Sequence, residues 1–176
     1  RNRPLVEPIW TGPVRDSMPF RNTEQALIQV VDSAQEKLLI VSYAVYNIPN
    51  VASALVRAAE REVRIRVVIE STDPKAGKGE YSNLKALGPE VAGCASVYYW
   101  PVENRDCSPS GKPGIMHVKC AVADGEMIFL SSANLTAQAF SINMELGVLV
   151  TGGDLAGCVQ QRFGELIRKG TVLATQ

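Results

Sequence analysis

"IMHVKCAVADGEMIFLSSANL", residues 115–135, consists of two apolar runs joined at Asp124-Gly125. That dipeptide between such runs is a strong hairpin signal, because both central residues of the tight turn need positive φ. Strands are expected over 115–124 and 126–132. Residues i and i+2 of a strand share a face. His117 and Lys119 should therefore project side by side, with Val118 turned into the core. The returning strand should bring Ser131 to Asn134 back beside His117. Asn143 and Glu145, a second i, i+2 pair, open the next expected strand, "NMELGVLV" (143–150), and are placed to join the same rim.

Outward from the hairpin, the remaining elements alternate. "NTEQALIQVVDSAQ" reads as a helix with Asn22 as N-cap, Gln25 three places on, and an apolar stripe at Leu27, Val30, Val31 and Ala34. "KLLIVSYAVY" (37–46) is nearly all apolar and β-rich, the pattern of a strand buried on both faces. An alanine-rich helix follows Pro49. "RIRVVIE" (64–70) and "SVYYWP" (96–101) read as strands, and "YSNLKAL" as a short helix. "GDLAGCVQQRFGELIRK" (153–169) closes the chain as a helix with Leu155, Cys158, Val159, Phe163 and Leu166 on one stripe. This order predicts an α/β fold, one mixed β-sheet flanked by helices. Residues 1–21, with four prolines, read as an N-terminal arm laid on a single domain spanning 22–176.

Bulk properties narrow the function classes. One domain of 176 residues with 46% apolar content can fill one core. Eighteen Lys and Arg balance eighteen Asp and Glu, so net charge gives no support for nucleic-acid binding, although a local basic groove remains open. Cys94, Cys107, Cys120 and Cys158 show no C-x-x-C spacing, and the single histidine completes no His/Cys cluster, so no metal or cofactor is expected. Cys120 and Cys158 lie in apolar-looking segments and read as buried thiols, which favours a reducing, cytoplasmic setting. No apolar run reaches membrane-spanning length. Arg1 in place of Met implies a processed, trimmed or partial chain.

An imidazole, an ammonium, hydroxyls and a carboxamide at one rim suit phosphoryl chemistry. Histidine serves as nucleophile or general acid near neutral pH. Lysine, serine and asparagine can stabilise the charge that builds on a phosphate. A glutamate bonded to one imidazole nitrogen, the role open to Glu145, would fix the tautomer. Asp124 has two readings, turn-former or site support. Ser132 serves the phosphate or the turn. Tyr43 and Tyr46, at the end of an inner strand, either stack on a base or pack. Lys75, Lys78, Arg105 and Lys112 lie in long loops, either solvated or against a nucleic-acid backbone. "YYW" at 98–100 reads as core.

His117, Lys119 and Asp124, then six residues, then Ser131-Ser132-Ala133-Asn134, resemble the HKD signature of the phospholipase D superfamily, H-x-K-x4-D-x6-G-S-x-N. Ser131 stands where glycine is usual, which removes no functional group. Asn143-x-Glu145 sits where that family often has a supporting glutamate. At phrase level, "LLIVSYAVYNIP", "RVVIES" and "NMELGVLV" are similar to the phospholipase-D-like proteins of DISARM anti-phage systems.

The resemblance implies a metal-independent phosphodiesterase. Two HKD motifs would face each other, one histidine forming a phosphohistidine and the other protonating the leaving oxygen, with lysines and asparagines holding the phosphate. His117, Lys119, Asn134, Glu145 and Asp124 are the implied catalytic set, and Ser132, Lys119 and Asn134 the implied substrate contacts. This chain holds one motif and one histidine, so the expected partner is a second copy, a homodimer with one shared site. Nucleic acid is the expected substrate, and other defence proteins are candidate partners. Two alternatives stand: a nucleic-acid-binding or assembly module with little turnover, and a phospholipid phosphodiesterase. A compact chain with no apolar surface segment argues against the latter.

Overall fold

The computed structural model describes residues 3–13, 20–44, 48–70 and 86–175. In chain order its elements are β1 (Leu5–Thr11), α1 (Thr23–Ser33), β2 (Lys37–Ser42), α2 (Pro49–Glu60), β3 (Arg64–Ile69), α3 (Pro89–Cys94) and β4 (Ser96–Tyr99). Then follow β5 (Cys120–Ala123), β6 (Met127–Ser131), α4 (Ala137–Ser141), β7 (Glu145–Thr151), α5 (Leu155–Arg168) and β8 (Leu173–Ala174). The strands form one mixed sheet in the order β1-β7-β6-β5-β2-β3-β4-β8. β2, β3 and β4 are parallel, and every other pairing is antiparallel. The α/β reading of the sequence holds.

The sheet has two covered faces because its inner strands alternate between two apolar sets. Leu38 and Ile40 of β2 pack with Leu27, Val30 and Leu55 from α1 and α2. Leu39 and Val41 join Val122, Ile128 and Phe163, the last from α5. Each such fully buried aliphatic side chain contributes about 1.5–3 kcal/mol relative to exposure. α1 begins as expected: the Asn22 side chain accepts the Glu24 N–H at 2.8 Å, and Leu27, Val30, Val31 and Ala34 are buried.

The N-terminal arm carries a strand. Residues 5–11 pair with β7 from Leu5↔Thr151 to Thr11↔Glu145, and Pro8 is tolerated because β1 has a free side. The strand read over 37–46 ends at Ser42, with 43–44 bent and 45–46 outside the described residues. On α5, Leu155 and Cys158 are exposed, and the inward stripe is Ala156, Val159, Phe163, Leu166 and Ile167. Cys158 is thus not a buried thiol. Cys120 is, and burial pushes its pKa up to about 12.

The hairpin forms where expected, with φ of 53° at Asp124 and 71° at Gly125. Its first strand is shorter than the sequence suggests. β5 begins at Cys120, because the backbone of Met116 bonds elsewhere and β6 ends at Ser131. Val118, outside the ladder, is 42% exposed and not in the core. At the turn, the Asp124 carboxylate accepts the N–H groups of Gln35, Glu36 and Lys37 at 2.8–2.9 Å. Partial burial alone raises its pKa, but these three donors and the Lys37 charge outweigh it, leaving Asp124 below the ordinary carboxylate value.

Two measurements check this frame. Asp124→Asn keeps a residue suited to positive φ but removes the charge. It should cost about 1 kcal/mol in denaturant unfolding at neutral pH. A depressed pKa contributes stability above the unfolded value and loses it as pH falls through the folded one, so the gap between variant and wild type should close in acid. Gly147→Ala should destabilise by about 1–3 kcal/mol, since a Cβ there would lie 2.7 Å from Phe129 and 2.8 Å from the Leu130 carbonyl.

Candidate active site

His117 and Lys119 sit on the irregular segment between a long loop and β5, at the end of the sheet where β2 finishes. That segment is held by a buried ion pair. The Arg105 guanidinium lies 2.6 Å from the Glu70 carboxylate, with side chains 2% and 8% exposed. Arg105 also donates to the carbonyls of Trp100 and Gly114, the latter at 3.0 Å, and its guanidinium lies over the Trp100 ring. The other Glu70 oxygen accepts the Met116 N–H at 2.6 Å. Arg105 therefore neither meets solvent nor faces a nucleic-acid backbone. With Glu70 it fixes the backbone immediately before His117. Sequence reading missed Glu70, because nothing local in "RVVIES" marks a carboxylate as the partner of a loop arginine 35 positions away.

The side chains meet as the hairpin geometry requires. Lys119 Nζ is 3.4 and 3.5 Å from the two ring nitrogens of His117 and donates to the His117 carbonyl at 3.1 Å. Tyr43 stands against His117, ring centroids 5.3 Å apart, and Lys119 Nζ lies 6.0 Å from the centre of the Tyr43 ring. Burial lowers the Lys119 pKa, opposed by the Glu145 charge. The returning strand arrives alongside: Ser131 N–H donates to the Lys119 carbonyl at 3.3 Å. The chain then turns, held by Leu135 N–H donating to Ala44 and to the Ser42 hydroxyl.

Ser132 and Glu145 form the second half of the rim. The Ser132 hydroxyl donates to one Glu145 oxygen, and the Asn143 amide donates to the other at 3.2 Å. Leu146 N–H donates to the Ser132 hydroxyl at 3.1 Å. Among the described residues, Glu145 has no hydrogen bond to His117, so it orients Ser132 and Asn143 rather than an imidazole of its own chain. Asn134 Oδ1 is buried and, among the described residues, has no hydrogen-bond partner. Unsatisfied buried polar atoms are few in folded proteins and concentrate where a ligand or water belongs.

Asp124 is not brought to this group. It lies at the far end of β5 from His117, with its carboxylate occupied by backbone N–H groups. Lys112 is exposed in a turn closed by Ser108. Tyr98 and Trp100 pack against the second core, as read from "YYW". Tyr46, Lys75 and Lys78 lie outside the described residues.

The rim is open. The void reaching it, lined partly by Ser42, Lys119 and Ser131, is about 20 Å³, room for about one water. Ile142, Met144 and Leu146, which alternate with Asn143 and Glu145, are 73%, 67% and 58% exposed. Ile115 and Val118 flank His117 and are also exposed. The expectation of no apolar surface segment therefore fails at the site itself. No helix among the described residues is long and apolar enough to cross a membrane.

Removing one member of the buried pair should be severe. Arg105→Ala leaves an uncompensated carboxylate and should cost about 3–5 kcal/mol, whereas the paired Glu70→Leu/Arg105→Met exchange should recover much of that loss. Chemical denaturation of the two variants beside wild type measures both effects.

Comparison with known proteins agrees with this geometry. Residues 27–167 match the family described as cardiolipin synthase, PLD-like domain. The chain is 29% identical over 150 residues to the mitochondrial cardiolipin hydrolase of Xenopus laevis, covering 83% of this chain and 62% of that protein. It is 28% identical over 135 residues to cardiolipin synthase A of Pseudomonas syringae, covering 76% of this chain and 25% of that protein. Among solved structures, the phospholipase D family member Nuc from Salmonella typhimurium superposes with a TM-score of 0.69 at 20% identity, covering 99% of each chain. NucT from Helicobacter pylori superposes at 0.70 and 18% identity, covering 98% of this chain and all of NucT. These two show the fold. The family match spans most of the chain and includes every rim residue named above, so this chain belongs to the phospholipase-D-like family described as cardiolipin synthase, PLD-like domain.

Proposed function

We propose that this chain is a metal-independent phosphodiesterase acting on nucleic acid, with a site completed by a second copy of itself. The observation that carries the reading is the half-built rim. One histidine, packed against Lys119 and Tyr43, opens to solvent in a chain that has no other histidine.

In this mechanism the His117 imidazole of one copy attacks phosphorus, forming a P–N bond as the P–O bond to the leaving group breaks. His117 of the second copy protonates that oxygen, then takes a proton from the water that hydrolyses the phosphohistidine. Lys119 and Asn134 hold the non-bridging oxygens, and Ser132, oriented by Glu145, supports them. The exposed Ile142, Met144 and Leu146 supply apolar surface for an isologous contact around the shared site. Asp124 contributes through the turn. The phrase-level resemblance of the sequence to DISARM proteins is what points to a defence role against foreign nucleic acid.

A second reading has its own support. The same apolar residues beside the rim, and relatives named as a cardiolipin hydrolase and synthases, favour a phospholipid phosphodiester as substrate. A binding or assembly module with little turnover is the third, and it has no such observation behind it.

The deciding experiment pairs sedimentation with cleavage in EDTA. A dimer should cut oligonucleotides in EDTA, and His117→Ala should lose at least about 10³-fold in rate, the order seen when one member of a catalytic unit is removed. Cleavage by a strict monomer would sink the shared site. Hydrolysis of cardiolipin vesicles without cutting of oligonucleotides would establish the lipid reading. Binding that survives His117→Ala, with no turnover by wild type, would establish the module.

A further inference from the structure

At the opposite end of β2 and β3 from His117, the second face of the sheet is not fully covered. α5 leaves an open cleft of about 440 Å³ over Leu39. The strand register is Lys37↔Arg64 and Leu39↔Arg66, so three cations surround one apolar side chain on one face. All three are exposed, and among the described residues none is in an ion pair within 4.0 Å. Besides its backbone N–H bond to Asp124, Lys37 acts on that carboxylate through the field of its ammonium. No Asp or Glu lines the cleft. The nearest helix carboxylate, Glu165, is engaged by Arg162 at 3.7 Å and by the Gln161 amide at 3.2 Å.

Like charges directly opposite each other on paired strands are destabilising. Here that repulsion is kept with no carboxylate in an ion pair to any of the three cations among the described residues. The helix above the cleft departs from an apolar face in the same place, presenting Gly157, Gln160, Gln161 and Gly164. At Gly157 a Cβ would meet the Gly125 carbonyl at 3.5 Å, ordinary contact. At Gly164 a Cβ would meet nothing within 4 Å. Glycine inside a helix is destabilising relative to alanine, so its one local consequence is the space it leaves open.

We propose that this cleft is a second, non-catalytic site for a phosphoryl group, held by Lys37, Arg64 and Arg66 with Gln160 as a neutral donor. Guanidinium forks match phosphate oxygens in pairs, and the ammonium adds a point charge. The group belongs either to a nucleic-acid backbone or to a free phosphate. The site lies about 16 Å along the strands from Ser42, five residues of rise, and does not depend on the chemistry assigned to His117.

The test is amide NMR on the full chain carrying His117→Ala, titrated separately with inorganic phosphate and with a short single-stranded oligonucleotide. Saturable shifts are expected at Gly157, Gln160 and Gly164. Arg64→Ala/Arg66→Ala should weaken that binding roughly 10-fold or more, while shifts at Ser132 and Asn134 stay as they were. Gly164→Leu, which improves the helix and fills the cleft, should abolish the cleft shifts in a folded protein. Much tighter saturation by the oligonucleotide identifies the backbone as the source, and equal or better saturation by phosphate identifies the free anion. No saturable shift at those amides with either probe, or an affinity unchanged in the double variant, overturns the proposal.

Discussion

The site depends on one carboxylate that touches no substrate. Glu70 ends β3 and is buried with Arg105, and its second oxygen takes the Met116 N–H. Residues 115–118 lie outside the ladder, so without that bond their backbone would lack a defined course. The pair joins the end of β3, the exit of β4 through the Trp100 carbonyl, and the loop through the Gly114 carbonyl. Burying two charges is costly, and such a pair contributes less to stability than to fixing one geometry. Here the fixed geometry is the direction in which His117 leaves the core.

Much of the rim could be read from spacing alone. His117 and Lys119 meet as the i, i+2 spacing suggested, although their segment lies outside the strand, and Asp124-Gly125 folds the chain back by turn chemistry, a local property. What could not be read depends on distant partners. β1 was hidden by Pro8, which demotes a strand unless its edge position is known. β8 has two residues and α4 five, too short to carry a period. Val118 was assigned to the core by alternation, but alternation applies only while a neighbouring strand persists, and β6 has already ended. Arg105 looked like a solvated loop charge because its partner is far away in sequence.

The electrostatics of the rim follow from the same geometry. Lys119 is lowered by burial, and its ammonium sits beside an imidazole with no carboxylate bonded to either group. Glu145 is close enough to oppose that shift but is bonded to Ser132 and Asn143. Among the described residues the arrangement leaves an ammonium that can donate to an incoming phosphate, and a buried amide oxygen, Asn134 Oδ1, whose missing partner is a donor.

The outer strands of the sheet have a consequence for assembly. One edge is β1, interrupted by Pro8, and the other is β8, two residues long. Neither offers an unbroken row of backbone donors and acceptors to a further strand. Copies of this chain are thereby steered away from ladder-extending, open-ended growth. The shared site proposed above would instead use side-chain surfaces at the end of the sheet, where a two-fold contact closes on itself.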